Sequence, residues 1–212
     1  MKTVFLCEQG SADYERVSAF AKRIYRNELS FILDDPPEIF VAIEDLDRSI
    51  CGAIGLNRQL TRSLFLNDHR VMEYLTTYDH GAIAEQSVLA LERAELGLPI
   101  LMATLAAVAH HRKIPWIVFA GIDVSLRTLQ RIGLSVNAIC DADPRTLRED
   151  EKSNYVKWFS LYTPIICTIA TAHARNVCTQ LLDRWKHRVR LSEELARELK
   201  HADHLDREVV HS

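Results

Sequence analysis

One carboxylate, Glu85, interrupts an apolar run of strand type, GAIAEQSVLAL. A charge in the interior of a sheet is costly unless it is paired or put to use. Alternation along a strand puts Ile83, Ser87 and Leu89 on the side of Glu85, and Ala84 and Gln86 on the other. That face mixes apolar residues with one acid and one hydroxyl, as a pocket floor does. Such a carboxylate could take a proton from an incoming ammonium, directly or through water. A solvent-facing or salt-bridged strand residue is the ordinary alternative. Arg127 and Arg131 lie four apart and share one helix face, which is otherwise a solvated basic surface. Tyr155 and Tyr162 carry hydroxyls that either pack or donate. No GxSxG, HExxH, Walker or dinucleotide-type glycine pattern is present, and no metal is expected.

The elements that must position these residues follow from periodicity. TVFLCE (3–8) reads as a strand, and Asp13 can cap a helix over 14–29 with Val17, Phe20, Ala21 and Ile24 on one face. Asp34-Asp35-Pro36-Pro37 breaks it. EIFVAIE and ICGAIGLN form a hairpin across the polar stretch 45–49, and 61–78 suggests a short extended piece and a helix. The strand around Glu85 leads to a helix opened by Pro99, LPILMATLAAVAHHRK, whose apolar faces require burial. PWIVFAG, LSVNAIC and YTPIICTIAT are further strands, with a helix over 124–132 ended by Gly133. The order β-α-β-β-(α)-β-α-β-α-β-β predicts a mixed α/β sheet. Residues 179–209 read as a charged helical extension. Its apolar stripe of Leu181, Leu182, Trp185, Val189, Leu195 and Leu199 packs across the domain or makes a homodimer. The expected division is a domain over 1–170 and an extension over 171–212.

Composition narrows the class. The chain has 212 residues, 48% of them hydrophobic, and a formal charge of -3. No basic excess is available to neutralise phosphates, so nucleic acid is not an expected partner. The longest apolar stretch, Leu98 to Ala109, is short of the ~20 residues that span a bilayer, so no membrane span is expected. The N-terminus meets acidic residues before any long apolar run and does not read as a signal peptide. Five cysteines without CxxC spacing read as reduced thiols of a cytoplasmic protein.

Local motifs then carry a resemblance. RVSAFAKRIYRNELSF resembles the first helix of thermostable hemolysin family proteins, with its Arg-Tyr pattern near the end. FVAIEDLDRSICGAIGLN is similar to that family's first hairpin, and SLFLNDHRVMEYL to its Leu-Phe-Leu-Glu-x-Tyr-Leu segment. IAEQSVLAL sits where the family has Val-Glu-Val-Gly-Asn-Leu-Ala. WIVFAGIDVSLRTLQRIGL, DADPRTL and WFSLYTPIICTIA resemble its later blocks. The likeness covers about residues 14–170. It implies the fold of the GNAT N-acyltransferase superfamily, a mixed sheet with splayed parallel strands flanked by helices. A fainter similarity is to acyl-homoserine lactone autoinducer synthases.

The resemblance implies an N-acyltransferase that moves an acyl group from an acyl-CoA, or from the acyl-phosphopantetheine of a carrier protein, to the amine of a small molecule or amino acid. The splayed strands are then 82–91 and 115–121, with the backbone of Ser87, Leu89 and Leu91 pairing the pantetheine arm. The loop Glu92 to Leu98, with Arg93 and Gly97, would hold the phosphates at a helix N-terminus. Arg127 and Arg131 match the family's arginines beside the gap, and Glu85 is the implied base. The loop ERAELGL departs from the superfamily's Gln/Arg-x-x-Gly-x-Gly/Ala, and Glu92 and Glu95 would repel a pyrophosphate. Leu129 stands where many GNAT enzymes have an acidic Tyr, which leaves Tyr162 or Tyr155 for the leaving thiolate. A non-catalytic GNAT-like binding protein and a membrane-active hemolysin are the other readings. Acyl transfer separates the first of these from an enzyme, and vesicle leakage tests the second.

Overall fold

The computed structural model describes residues 1–77, 83–92 and 94–208. Strand β1 (Lys2–Glu8) runs into α1 (Ala12–Ile24), whose first turn is capped by Ser11 rather than by Asp13: the Tyr14 amide donates to Ser11 Oγ at 3.2 Å. The helix widens into a π-helical turn, Tyr25–Leu29, and stops at Ser30, which is left-handed at φ 56°. The hairpin β2 (Ile39–Glu44) and β3 (Ile50–Asn57) follows, then the short helices α2 (Ser63–Leu66) and α3 (His69–Leu75). Next come β4 (Ile83–Leu91), α4 (Ala94–His111), β5 (Trp116–Gly121), α5 (Asp123–Arg131) and β6 (Val136–Asp141). A helix that the sequence had not signalled, α6 (Glu149–Leu161), precedes β7 (Ile165–Ala170). The chain continues with α7 (Ala174–Trp185), β8 (Val189–Leu191) and α8 (Glu193–Glu208).

The eight strands form one mixed sheet in the order β6-β7-β5-β4-β3-β2-β1-β8. β4 and β5 are parallel neighbours joined by α4, as the sequence order requires. α4 lies against one face of the sheet, and Ile100–Ala109 is buried on all sides, which is why this helix shows no polar stripe. Its cluster takes in Val41, Ile54, Ile117 and Leu129. The same cluster reaches Cys178, Leu181, Val189, Leu195 and Leu199. The residues after 170 therefore complete the main core. Three of them, Val189, Arg190 and Leu191, extend the sheet as β8 along β1 instead of continuing a helix. Leu182 and Trp185, half-buried, pack against the same cluster, so the stripe lies across the domain. The opposite face carries α1 (Tyr14, Val17, Phe20) over β2 and β3, and separately α2, α3 and α6 over Ile83, Val118 and Ile166.

All five cysteines are free. Burial pushes the thiols of Cys7 and Cys167 up to about 12. Among the described residues no helix is long and apolar enough to cross a membrane.

Candidate functional site

The site begins where two strands part. β4 and β5 pair only at Ile83–Trp116, Ala84–Ile117 and Glu85–Val118. Beyond that point β4 stays on β3 as far as Leu91, and β5 stays on β7 as far as Gly121. A parallel pair that separates while both outer ladders continue leaves a gap in the middle of the sheet. Strand edges there carry amides without a strand partner, which a ligand or a side chain must satisfy.

A bulge sits at the mouth of that gap. Across the β3–β4 ladder Leu56 faces Gln86 and Gly55 faces Val88, so Ser87 is the additional residue. Gln86 braces it, donating Nε2–H to the Val88 carbonyl at 2.8 Å. The bulge reverses the alternation. Before it, Glu85 lies opposite Asn57; after it, Val88 and Ala90 take over the α1 face, while Leu89 and Leu91 join Ala84 on the α4 face. Leu89 is therefore not on the side of Glu85, contrary to the simple period of two.

A cavity of about 230 Å³ occupies the gap. From the α4 and α5 layer it is lined by Leu98, Met102, Ser125 and Leu129, and from β5 by Phe119, Ala120 and Gly121. From the opposite layer it is lined by Tyr25, Phe31, Arg62, Tyr155 and Trp158. Residues from both faces share one lining, so the cavity passes through the sheet. Its far wall is a run of aromatic rings: Tyr25 meets Phe31 edge-on at 5.3 Å, Phe31 meets Tyr155 at 5.3 Å, and Tyr155 meets Trp158 at 5.9 Å. Burial raises the Tyr155 phenol above its ordinary range, with Arg62 opposing, so it stays a hydrogen-bond donor at neutral pH. Tyr25 Oη accepts the Leu89 amide proton at 3.0 Å, taking the place that a paired β5 carbonyl would have had.

Of the residues singled out from sequence, Ser87, Leu89 and Tyr162 line this cavity, together with Tyr155. Glu85 does not. Its carboxylate is fully buried and accepts from the Thr61 amide at 2.6 Å, the Arg62 amide at 3.1 Å and the Thr61 hydroxyl at 3.2 Å. Arg62 Nε adds an ion pair at 3.2 Å. The carboxylate expected to act as a base thus holds residues 61–62 and stands outside the cavity lining. Leu91 points into the α4 interface, and Gly97 is inside the first turns of α4, where a Cβ would run into Leu91 Cδ2. The expected phosphate loop is correspondingly short, because α4 starts at Ala94 and Pro99 lies within it. Arg93 and the side chain of Glu95 fall outside the described residues. Glu92 is paired with Arg23 at 2.6 Å, which removes its repulsion of an anion. Arg127 is exposed and paired with Asp123 one helical turn away, and Arg131 is exposed; neither lines the cavity.

Tyr25, Phe31, Arg62 and Trp158 are among the lining residues that the sequence did not single out. Tyr25 lies in the Arg-Tyr motif of the first helix. The spacing of Tyr155, Trp158, Phe159 and Tyr162 is a helical aromatic face that could have been found in the charged stretch EDEKSNYVKWFSLY.

The fold has solved counterparts. BjaI, a CoA-dependent acyl-homoserine lactone synthase solved with SAM and isopentyl-CoA, superposes with a TM-score of 0.59 at 14% identity, covering 93% of this chain and 99% of that one. FeeM, an N-acyl amino acid synthase from uncultured soil microbes, gives 0.54 at 15% identity over 87% of this chain and 99% of that one. Among curated proteins, a deoxyguanosinetriphosphate triphosphohydrolase-like protein of Ruegeria sp. (strain TM1040) is 32% identical in an alignment covering 48% of this chain. The chain spans only a third of that relative's length. The thermostable hemolysin family model matches residues 7–175, most of the chain, and the chain belongs to the thermostable hemolysin family.

Proposed function

We propose that the protein is an N-acyltransferase, taking an acyl group from the thioester of acyl-CoA or an acyl-carrier protein and passing it to the amine of a small molecule or amino acid. The observation that carries this reading is the gap between β4 and β5 with a cavity running through it. A gap of this kind lets an extended acyl-pantetheine arm lie along the free edge of β4, while the acceptor approaches from the other face of the sheet. Pairing to a strand edge supplies affinity, and the apolar lining accommodates the acyl chain. The fold shared with a CoA-dependent acyl-homoserine lactone synthase and an N-acyl amino acid synthase supports the same reading.

Among the described residues, those that line the cavity include no carboxylate and no histidine. On that lining the acceptor enters as its neutral amine, or loses its proton to water, and the protein contributes orientation and hydrogen-bond donors. Reduced thiols suit a cytoplasmic setting.

Incubation of the protein with hexanoyl-CoA and a mixture of amines and amino acids tests the reading. Thiol release together with a new N-hexanoyl product by mass spectrometry supports it. Absence of both, with hexanoyl-CoA and with a hexanoyl-carrier protein, contradicts it.

A further inference from the structure

Two hydroxyls stand at the bulge with hydrogen bonds still to give. Ser87 is 4% exposed, and its Oγ has no hydrogen-bond partner among the described residues, yet it lines the cavity. A buried hydroxyl left unpaired costs stability and calls for a reason. Tyr25 is the second. Its oxygen already accepts the Leu89 amide, so the phenol cannot turn to take another strong donor there, and its own proton is left to donate. Among the described residues that proton meets no acceptor, and the side chain also lines the cavity.

The two hydroxyls bracket one short stretch of strand. Ser87 is the bulged residue, two positions past the last β4–β5 pair at Glu85, and Tyr25 stands over the amide two positions further on. Both side chains line the cavity along this stretch of β4, where the thioester of an arm lying on the strand edge would pass.

We propose that the hydroxyls of Ser87 and Tyr25 are the paired donors that hold the carbonyl oxygen of the bound thioester. This rests on the acyl-transfer reading and names the residues that stabilise its transition state. The neutral amine attacks the thioester carbon, a C–N bond forms, and the carbonyl π pair moves onto oxygen, where the two O–H groups receive it. Collapse restores C=O and breaks C–S, and the thiolate leaves with the electron pair. The nitrogen gives up one proton to solvent and the thiolate takes one, so nothing is oxidised or reduced. Donors aimed at the developing oxyanion act in the transition state more than in the ground state.

The test uses hexanoyl-CoA and hexanoyl-pantetheine with a ¹³C-labelled thioester carbonyl, bound to the full chain and read by infrared difference spectroscopy. In the wild type the carbonyl stretch is expected to fall in frequency on binding. Ser87→Ala and Tyr25→Phe should each remove part of that fall, and the double variant all of it. Thioester turnover should drop about a hundredfold per donor, with thioester affinity nearly unchanged. Phe at 25 keeps the ring contact with Phe31 but leaves the Leu89 amide without its acceptor, whereas Ala at 87 removes only an unpaired atom, so the Tm of each variant is measured alongside and Ser87→Ala alone must reproduce its share of the shift. An unshifted carbonyl in the wild type, or the same shift and rate in the double variant, overturns the proposal while leaving thioester binding intact. Failure of both thioesters to bind the wild type overturns the acyl-transfer reading itself.

Discussion

Arg62 Nε lies 3.2 Å from Glu85 Oε1, and the carboxylate so held is fully buried while the arginine lines the cavity. The pair joins the segment before α2 to the middle of β4. It turns a residue with the look of a base into the support for a cationic wall residue.

Glu85→Gln should consequently act on stability first. Removing one partner leaves the Arg62 charge in a buried setting, a loss of about 3 kcal/mol or more. In a chain of this size that is a fall in Tm of roughly 6–12 °C. Thermal unfolding followed by circular dichroism checks it. An unchanged Tm accompanied by a collapse of acyl transfer would return Glu85 to the chemistry.

Ser87→Ala should do the reverse. The wild-type hydroxyl is buried and without a partner, and an unsatisfied group of this kind costs about 1–3 kcal/mol. Alanine should therefore raise Tm by roughly 2–4 °C or more while turnover falls. A lower Tm would show that the hydroxyl serves the fold instead.

The contrast between these two residues marks how much of the site the sequence could carry. The parallel strands and the buried α4 follow from run lengths, β-branched content and a helix with no polar face, whereas the break between β4 and β5 was implied only by the family resemblance. Glu85 was visible as an anomaly, but its partner Arg62 comes from a polar segment whose path no periodicity fixes. The face of Leu89 was misassigned because the bulge at Ser87 is decided by the register against β3, a long-range pairing that a single strand does not encode. α6 was hidden because its aromatic face alternates with Glu, Asp and Lys. Three residues of the tail became β8 because β1 offered a free edge, and a helical pattern on either side masked so short a strand.

Asp68 supplies a pH dependence. It caps α3, accepting from the Arg70 amide at 3.0 Å, and its side-chain hydrogen bonds from Arg70 hold its carboxyl below the usual range. A depressed carboxylate adds stability that is present above the unfolded value of about 3.9 and is lost as pH falls through the lower folded value. Asp68→Ala should cost about 1–2 kcal/mol at pH 7 and progressively less below pH 4, measured by urea unfolding at several pH values. A penalty that does not shrink in acid would mean that packing, not the charged cap, is what Asp68 contributes.

Hydrogen–deuterium exchange upon addition of hexanoyl-CoA tests the account most directly. If an acylated pantetheine arm lies in the gap, amides of Gln86–Leu91 and Phe119–Gly121 should gain protection, those of β1, β2 and α8 should not, and Ser87→Ala should retain the pattern. Protection confined to other elements, or none at a saturating concentration, would contradict the placement of the thioester between β4 and β5.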